Sequence, residues 1–298
     1  MQLLAIRMPL FQHRTAVRLA HFGDLPVKVT VDWYDRHLLI TDYEGIAQGQ
    51  ISKLSGVFIG SLTEIGMEPN CVVGKNRPDN LSRANMTYEV LYGPAPSEYF
   101  QVREESLAYD VSFTEGGFGT GIFLDMVKGR RFVNAQAKRC TRVLNLFAYT
   151  GAFSIAAAAG GAEEVIEVDT YQKWLKWGQR NQKLNGITNI RQRQEDAVKF
   201  LLKQSDNSYD MIICDPPSFA RPKKGKPFRI QDGYQTMSSH FHRVLTKGGI
   251  LVACCNHDKT SAHQFEKWLP KQLSIVDRIK PDIDFPNAHY LKILVLKK

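Results

Sequence analysis

The chain has 298 residues, 43% of them hydrophobic, enough for one large or two modest globular domains. No apolar run approaches the ~18 residues of a membrane span, so none is expected. A net charge of +9 favours a polyanionic partner such as a nucleic acid. The five cysteines, at 71, 140, 214, 254 and 255, include no C-x-x-C pair, so neither a disulfide framework nor a metal site is expected.

Residues 1–12 read as an N-terminal extension. No basic run precedes its apolar patch and no small-residue cleavage site follows, which points to mature, cytoplasmic sequence. Residues 13–100 read as a small α+β domain, a possible RNA-binding element. Val27–Val31 and His37–Thr41 alternate as strands around a turn at Asp32–Arg36. Leu54, Val57, Phe58, Leu62 and Ile65 carry helical spacing over Ile51–Ile65. Lys75–Arg83 is a polar loop, and Pro94–Pro96 closes the domain. Phe100–Phe113 reads as a hairpin turning at Glu104–Ser106, and residues 101–298 form the second domain. In it, the glycine-rich Phe118–Arg131 leads into a helix that runs to about Ala137.

Thr141–Asp169 organises the second domain. Val143, Leu144, Leu146 and Phe147 form a strand buried on both faces. Ala148–Gly151 make the turn, and Gly151 lets backbone approach a ligand closely. Phe153–Ala159 is a small-residue helix stopped by Gly160 and Gly161. Glu164–Val168 is the next strand, with Asp169 at its carboxyl end, placed to take both hydroxyls of a ribose. A turn with one glycine is poor for a pyrophosphate. A nucleoside without a diphosphate fits better, and S-adenosylmethionine (AdoMet) is the common one.

The βα alternation continues: helix Gln172–Leu184, strand Ile190–Arg193, helix Ala197–Lys203, strand Met211–Cys214, helix Gln231–Val244, strand Gly249–Cys254, helix Ala262–Leu269. Strands Ser274–Ile279 and Tyr290–Leu296 end the chain without a helix between them, which requires an antiparallel pair. The expected fold is α/β: a Rossmann-like doubly wound sheet with an antiparallel last strand, preceded by the small α+β domain.

Three acidic residues follow three strands and can converge on one ligand. Asp169 suits ribose, and Asp196 suits the exocyclic amine of adenine, although it would equally make a good helix N-cap. Asp215 opens Asp215-Pro216-Pro217-Ser218-Phe219, whose prolines fix an extended turn, whose carboxylate accepts, and whose Phe219 offers a base a stacking face. The basic stretch Arg221, Lys223, Lys224, Lys226 and Arg229 follows, and with Lys128, Arg130 and Arg131 it could track phosphates. Cys254-Cys255-Asn256-His257 ends the next strand. Cys255 could serve as a thiolate adding to C6 of a pyrimidine, or Asn256 could hydrogen-bond a purine edge; a buried, inert cysteine is the plainer reading.

VLNLFAYTGAFSIAAAAGGA, VDTYQKWLKWGQRNQKLNG, DPPSF and GFGTGIFLDM together resemble class I AdoMet-dependent methyltransferases of large-subunit ribosomal RNA, over about residues 13–298. The resemblance extends to the cytosine-C5 and guanine-N7 enzymes of that group, and DLPVKVTVDWYDRHLLI and REESLAYDVSF are similar to the small domain preceding their catalytic one. Residues 1–12 leave no room for the PUA domain of the C5 enzymes. Asn256 aligns with their nucleophilic cysteine, one place after Cys255, and CCNHDK is about as similar to the Ser-Asn-Asn-Lys of the N7 enzymes. The resemblance implies a base methyltransferase with ribosomal RNA as partner. AdoMet would be held by Phe147, Tyr149, Gly151, Asp169, Asp196 and Asp215, with Phe123 and Asp125 closing over its methionine part. Asp215, Pro216, Phe219, Cys255 and Asn256 would face the base. The rivals are a methyltransferase acting on protein or a small molecule, and a non-catalytic RNA-binding protein on the same scaffold.

Overall fold

A computed structural model describes residues 2–77, 86–116, 119–220 and 227–298. The chain divides into two compact units, Met1–Asp125 with Asp282–Asn287, and Met126–Pro281 with Ala288–Lys298.

In the first unit, α1 (Gln2–Arg7) and a 3-10 turn (Met8–Gln12) precede a five-stranded sheet. Its strands are β1 (Ala16–Ala20), β2 (Val29–Tyr34), β3 (His37–Asp42), β4 (Cys71–Asn76) and β5 (Thr87–Tyr92), in that order. All neighbours are antiparallel except β3 and β4, which α2 (Gln48–Glu64) joins by a parallel crossover. Residues 1–12 are more than an extension. Leu4 and Leu10 are buried in a cluster with Val17, Leu19 and Trp33, and burying each contributes about 1.5–3 kcal/mol. The hairpin of β6 (Phe100–Glu104) and β7 (Leu107–Val111) also falls in this unit, so the division differs from the 100/101 boundary read from sequence. Arg14 bonds Asp284 at 2.9 Å, which fixes the Asp282–Asn287 segment in the same unit.

The second unit begins with α3 (Val127–Ala137) and is built on a seven-stranded sheet. In chain order it runs β8 (Arg142–Leu146), α4 (Ala152–Ala159), β9 (Glu164–Asp169), α5 (Gln172–Leu184), β10 (Ile190–Gln194), α6 (Ala197–Leu202) and β11 (Tyr209–Cys214). Two short strands, β12 (Phe219–Ala220) and β13 (Phe228–Arg229), pair with each other. Then come α7 (Ile230–Val244), β14 (Leu245–Cys255), α8 (Ala262–Glu266), β15 (Ser274–Ile279) and β16 (Lys292–Lys297). The strand order is β10-β9-β8-β11-β14-β16-β15, parallel through β14, with β16 antiparallel to both its neighbours. The order reverses between β8 and β11, and in open α/β sheets ligands bind outside the carboxyl ends at that switch point. Among the described residues, no helix is long and apolar enough to cross a membrane.

Candidate active site

The switch point carries a turn of unusual backbone. Between β8 and α4, Phe147 (φ 60°), Tyr149 (φ 52°) and Gly151 (φ 78°) are all left-handed. Two non-glycine residues in that region store strain, on the order of 1–3 kcal/mol each, that the surroundings must hold. The Ala148 N–H donates to the Val168 carbonyl at 3.0 Å, and the Gly151 N–H to the Ala148 carbonyl at 2.9 Å. The Tyr149 N–H donates to Asp169 Oδ2 at 2.9 Å. The Thr150 carbonyl accepts from Asn181 Nδ2 at 2.9 Å. Gly151 then N-caps α4, and a Cβ added to it would stand 2.8 Å from Glu167 Oε2.

Asp169 closes β9 beside this turn. Its Oδ1 accepts from the Tyr171 N–H at 2.9 Å, so both oxygens hold backbone donors and lone-pair capacity remains for a ligand. Burial raises its pKa, against the backbone N–H groups of Tyr171, Tyr149 and Thr170. Tyr149 packs edge-on against Trp174 at 4.7 Å. Asp196 N-caps α6, accepting from the Lys199 N–H at 2.9 Å, as its spacing suggested; its exposed carboxylate retains acceptor capacity.

Across the switch point, the Asp215 N–H reaches the Leu146 carbonyl at 3.5 Å, so Asp215 and Phe147 leave adjacent strands side by side. Pro216 is buried and Phe219 is half exposed. Phe228, on the strand paired with Phe219, packs its ring 5.3 Å from that of Phe147. Ser218 Oγ donates to Asn256 Oδ1 at 2.6 Å, which ties the Asp215–Phe219 turn to the end of β14. Lys292 braces the same end, its Nζ donating to the His257 and Tyr290 carbonyls at 2.7 and 2.9 Å.

Several sequence expectations change here. Cys255 has no exposed surface and lies in the sheet's apolar core with Leu251 and Ala253, while Cys254 is equally buried on the other face. Burial raises the Cys255 pKa, which the His257 backbone and Lys292 only partly oppose. A nucleophilic thiol needs the reverse, an exposed and electropositive setting. Arg130 is 2% exposed inside α3 and cannot track phosphates. Arg229 is exposed, but Arg221, Lys223, Lys224 and Lys226 lie outside the described residues. Phe123 and Asp125 belong to the first unit, and their part in the site rests on the resemblance alone.

Sequence reading passed over a buried polar group under the turn. Glu167 Oε1 accepts from Gln192 Nε2 at 2.6 Å and Gln182 Nε2 at 3.1 Å, and Asn145 Nδ2 donates to Ser154 Oγ at 2.8 Å. The available signal was a glutamate in the middle of the buried strand VIEVD. Burial, the largest cause, raises the Glu167 pKa; hydrogen bonds from Ser154, Gln192 and Gln182 oppose it. A raised carboxyl pKa contributes stability that is full below the unfolded value and lost as pH rises through the folded one. Glu167→Gln keeps the bonds accepted from Gln192 and Gln182 and removes the charge. It is therefore expected to melt higher at neutral pH, by ~2–4 °C per kcal/mol gained, and to flatten the decline in melting temperature as pH rises through the raised Glu167 value.

A lone glycine at a strained strand-to-helix turn, an acidic residue ending the next strand and further carboxylates at the following strand ends are arranged as a nucleoside cradle would require. The family described as S-adenosylmethionine-dependent methyltransferase matches residues 15–295, and the chain belongs to it. Among its relatives is the Bacillus subtilis "Putative ribosomal RNA large subunit methyltransferase YwbD", 28% identical over 96% of this chain and 76% of the relative. Another is the ribosomal RNA large subunit methyltransferase K/L of Aeromonas hydrophila, 30% identical over 90% of this chain but only 38% of that protein. The crystal structure of SMU.776 complexed with SAH superposes with a TM-score of 0.85 and 26% identity, covering 100% of this chain and 79% of that one. The chain is thus an AdoMet-dependent methyltransferase, and AdoMet supplies an electrophilic methyl on a sulfonium. The residues fit it: Gly151 permits the left-handed turn to close tightly over Glu167 at the start of α4, and Asp169 offers a carboxylate at the β9 end.

Proposed function

We propose that this methyltransferase modifies a base of large-subunit ribosomal RNA in the cytoplasm, at a ring nitrogen, with guanine N7 preferred over cytosine C5. The names of the relatives and the net charge of +9 support an RNA substrate. The observation that carries the choice of atom is the burial of Cys255. C5 of cytosine is a poor nucleophile until a thiolate adds at C6, whereas guanine N7 has an available lone pair and needs no covalent help. In this reading Asp169, Asp196 and the 147–151 turn hold the cofactor. Phe219 stacks the base, Asp215 and the Pro216 carbonyl accept from it, and Asn256, steadied by Ser218, meets its edge. Positioning and exclusion of water then supply the rate.

Cys254→Ala and Cys255→Ala are each expected to transfer labelled methyl from AdoMet to ribosomal RNA within about twofold of wild type, because no thiolate is used. Loss of transfer in Cys255→Ala with AdoMet binding intact would restore the C5 mechanism. RNA docking is assigned to the basic 221–229 stretch, with the first unit as a second surface. Replacing its three lysines with alanine should lower the slope of log K against log salt by about 0.7–0.9 for each phosphate no longer neutralised. An unchanged slope would move docking elsewhere.

A further inference from the structure

We infer that Asn181 and Glu167 are positioning residues for AdoMet: Asn181 bonds the left-handed turn that would seat the cofactor, and Glu167 packs beneath the turn's glycine. Both are fully buried, Asn181 on α5 and Glu167 on β9. Asn181 reaches up from the helix to the carbonyl of Thr150, between left-handed Tyr149 and left-handed Gly151. A carbonyl in that place has turned away from any regular ladder, and Asn181 gives it a donor inside the protein. Glu167 lies beneath the next residue, its Oε2 where a Cβ on Gly151 would collide. Gln182 and Gln192 fix its other oxygen, and Gln192 is itself held, donating to the Leu175 carbonyl at 2.7 Å and accepting from Gln179 at 2.9 Å. Gly178 permits this arrangement. A Cβ there would come within 3.1 Å of Glu167 Oε1, 3.2 Å of Gln192 Nε2 and 3.5 Å of the Thr150 oxygen. Helix α5 therefore approaches β9 and the turn at a glycine, and sends one amide to the turn and another to the carboxylate.

The arrangement divides the labour at the turn. Asp169 holds the Tyr149 N–H from the side where the ribose would lie, Asn181 holds the Thr150 carbonyl from below, and Glu167 fills the space under Gly151. A turn that carries strain at Phe147 and Tyr149 relaxes when such bonds are removed, because αR or extended backbone is lower in energy for both. The brace should therefore act on cofactor affinity more than on the fold, since the sheet and its apolar core do not depend on it.

Calorimetric titration with AdoMet and with S-adenosylhomocysteine tests this without any RNA, so it stands or falls apart from the proposed substrate. Asn181→Ala and Glu167→Ala are each expected to weaken both ligands about tenfold or more. Glu167→Gln, which keeps the accepted bonds, should bind within about twofold of wild type. Asn185→Ala, at the C-cap of the same helix and away from the turn, is the control for general destabilisation. It removes a bond from Asn185 Nδ2 to the Asn181 carbonyl of 2.7 Å. Wild-type affinity in Asn181→Ala would overturn the inference, as would an equal weakening in Asn185→Ala at the same drop in melting temperature. Should Asn181→Ala not fold, Asn181→Ser, too short to reach Thr150, is read by the same criteria.

Discussion

Gly151→Ala is expected to lose AdoMet affinity by roughly thirtyfold to several thousandfold. Two effects add. Left-handed backbone costs an L-residue about 1–2 kcal/mol. Phe147 and Tyr149 already tolerate that conformation, so this cost alone would be survivable. The second effect is steric: the new Cβ meets Glu167 Oε2 at 2.8 Å, and Gln182 and Gln192 keep that carboxylate from retreating. Overpacking of this kind costs about 1–3 kcal/mol. Together they give about 2–5 kcal/mol, which converts to the stated range of affinity. Calorimetry on the folded variant, with a melting curve beside it, separates weakened binding from weakened stability. Unchanged affinity would mean that the turn is not the cofactor's seat.

Asp169→Ala should weaken AdoMet by about 2–4 kcal/mol, since two charge-assisted acceptors for the ribose disappear. The Tyr149 N–H also loses its partner, so the turn loosens as the ligand's own bonds go. The same carboxylate predicts two opposite pH slopes. Its pKa is raised by burial. Its contribution to the stability of the unliganded protein is therefore full below the unfolded value and falls away as pH rises through the folded one. AdoMet affinity runs the other way, because the ionised form is the acceptor, and declines as pH drops through that raised value. Asp169→Asn should flatten both slopes. Parallel slopes in wild type would show that another group titrates the site.

The second unit was legible because its signals are local. Buried strands such as VLNL and IIC, the small-residue helix after Gly151 and the acidic strand ends follow one another in sequence, and the βα order implies the sheet. The antiparallel end followed from the short connection before β16. The first unit was half legible. Cys71–Asn76 and Thr87–Tyr92 were missed because one contains a glycine and a lysine and the other is an edge strand with mostly exposed side chains. Within the candidate site, the acidic residues at strand ends were visible in the sequence, and hydrogen bonds between residues far apart in the chain were not. Asn181 reaches back 31 positions to Thr150, and Ser218 reaches 38 positions to Asn256. Cys255 shows the converse: a motif suggested chemistry, and its burial in the sheet core argues against it.

Nucleoside mass spectrometry of ribosomal RNA incubated with AdoMet and either the wild-type protein or the Cys254→Ala/Cys255→Ala double variant tests the central claim most directly. 7-Methylguanosine is expected from both proteins, in similar yield. The appearance of 5-methylcytidine with wild type, and its absence with the double variant, would contradict it.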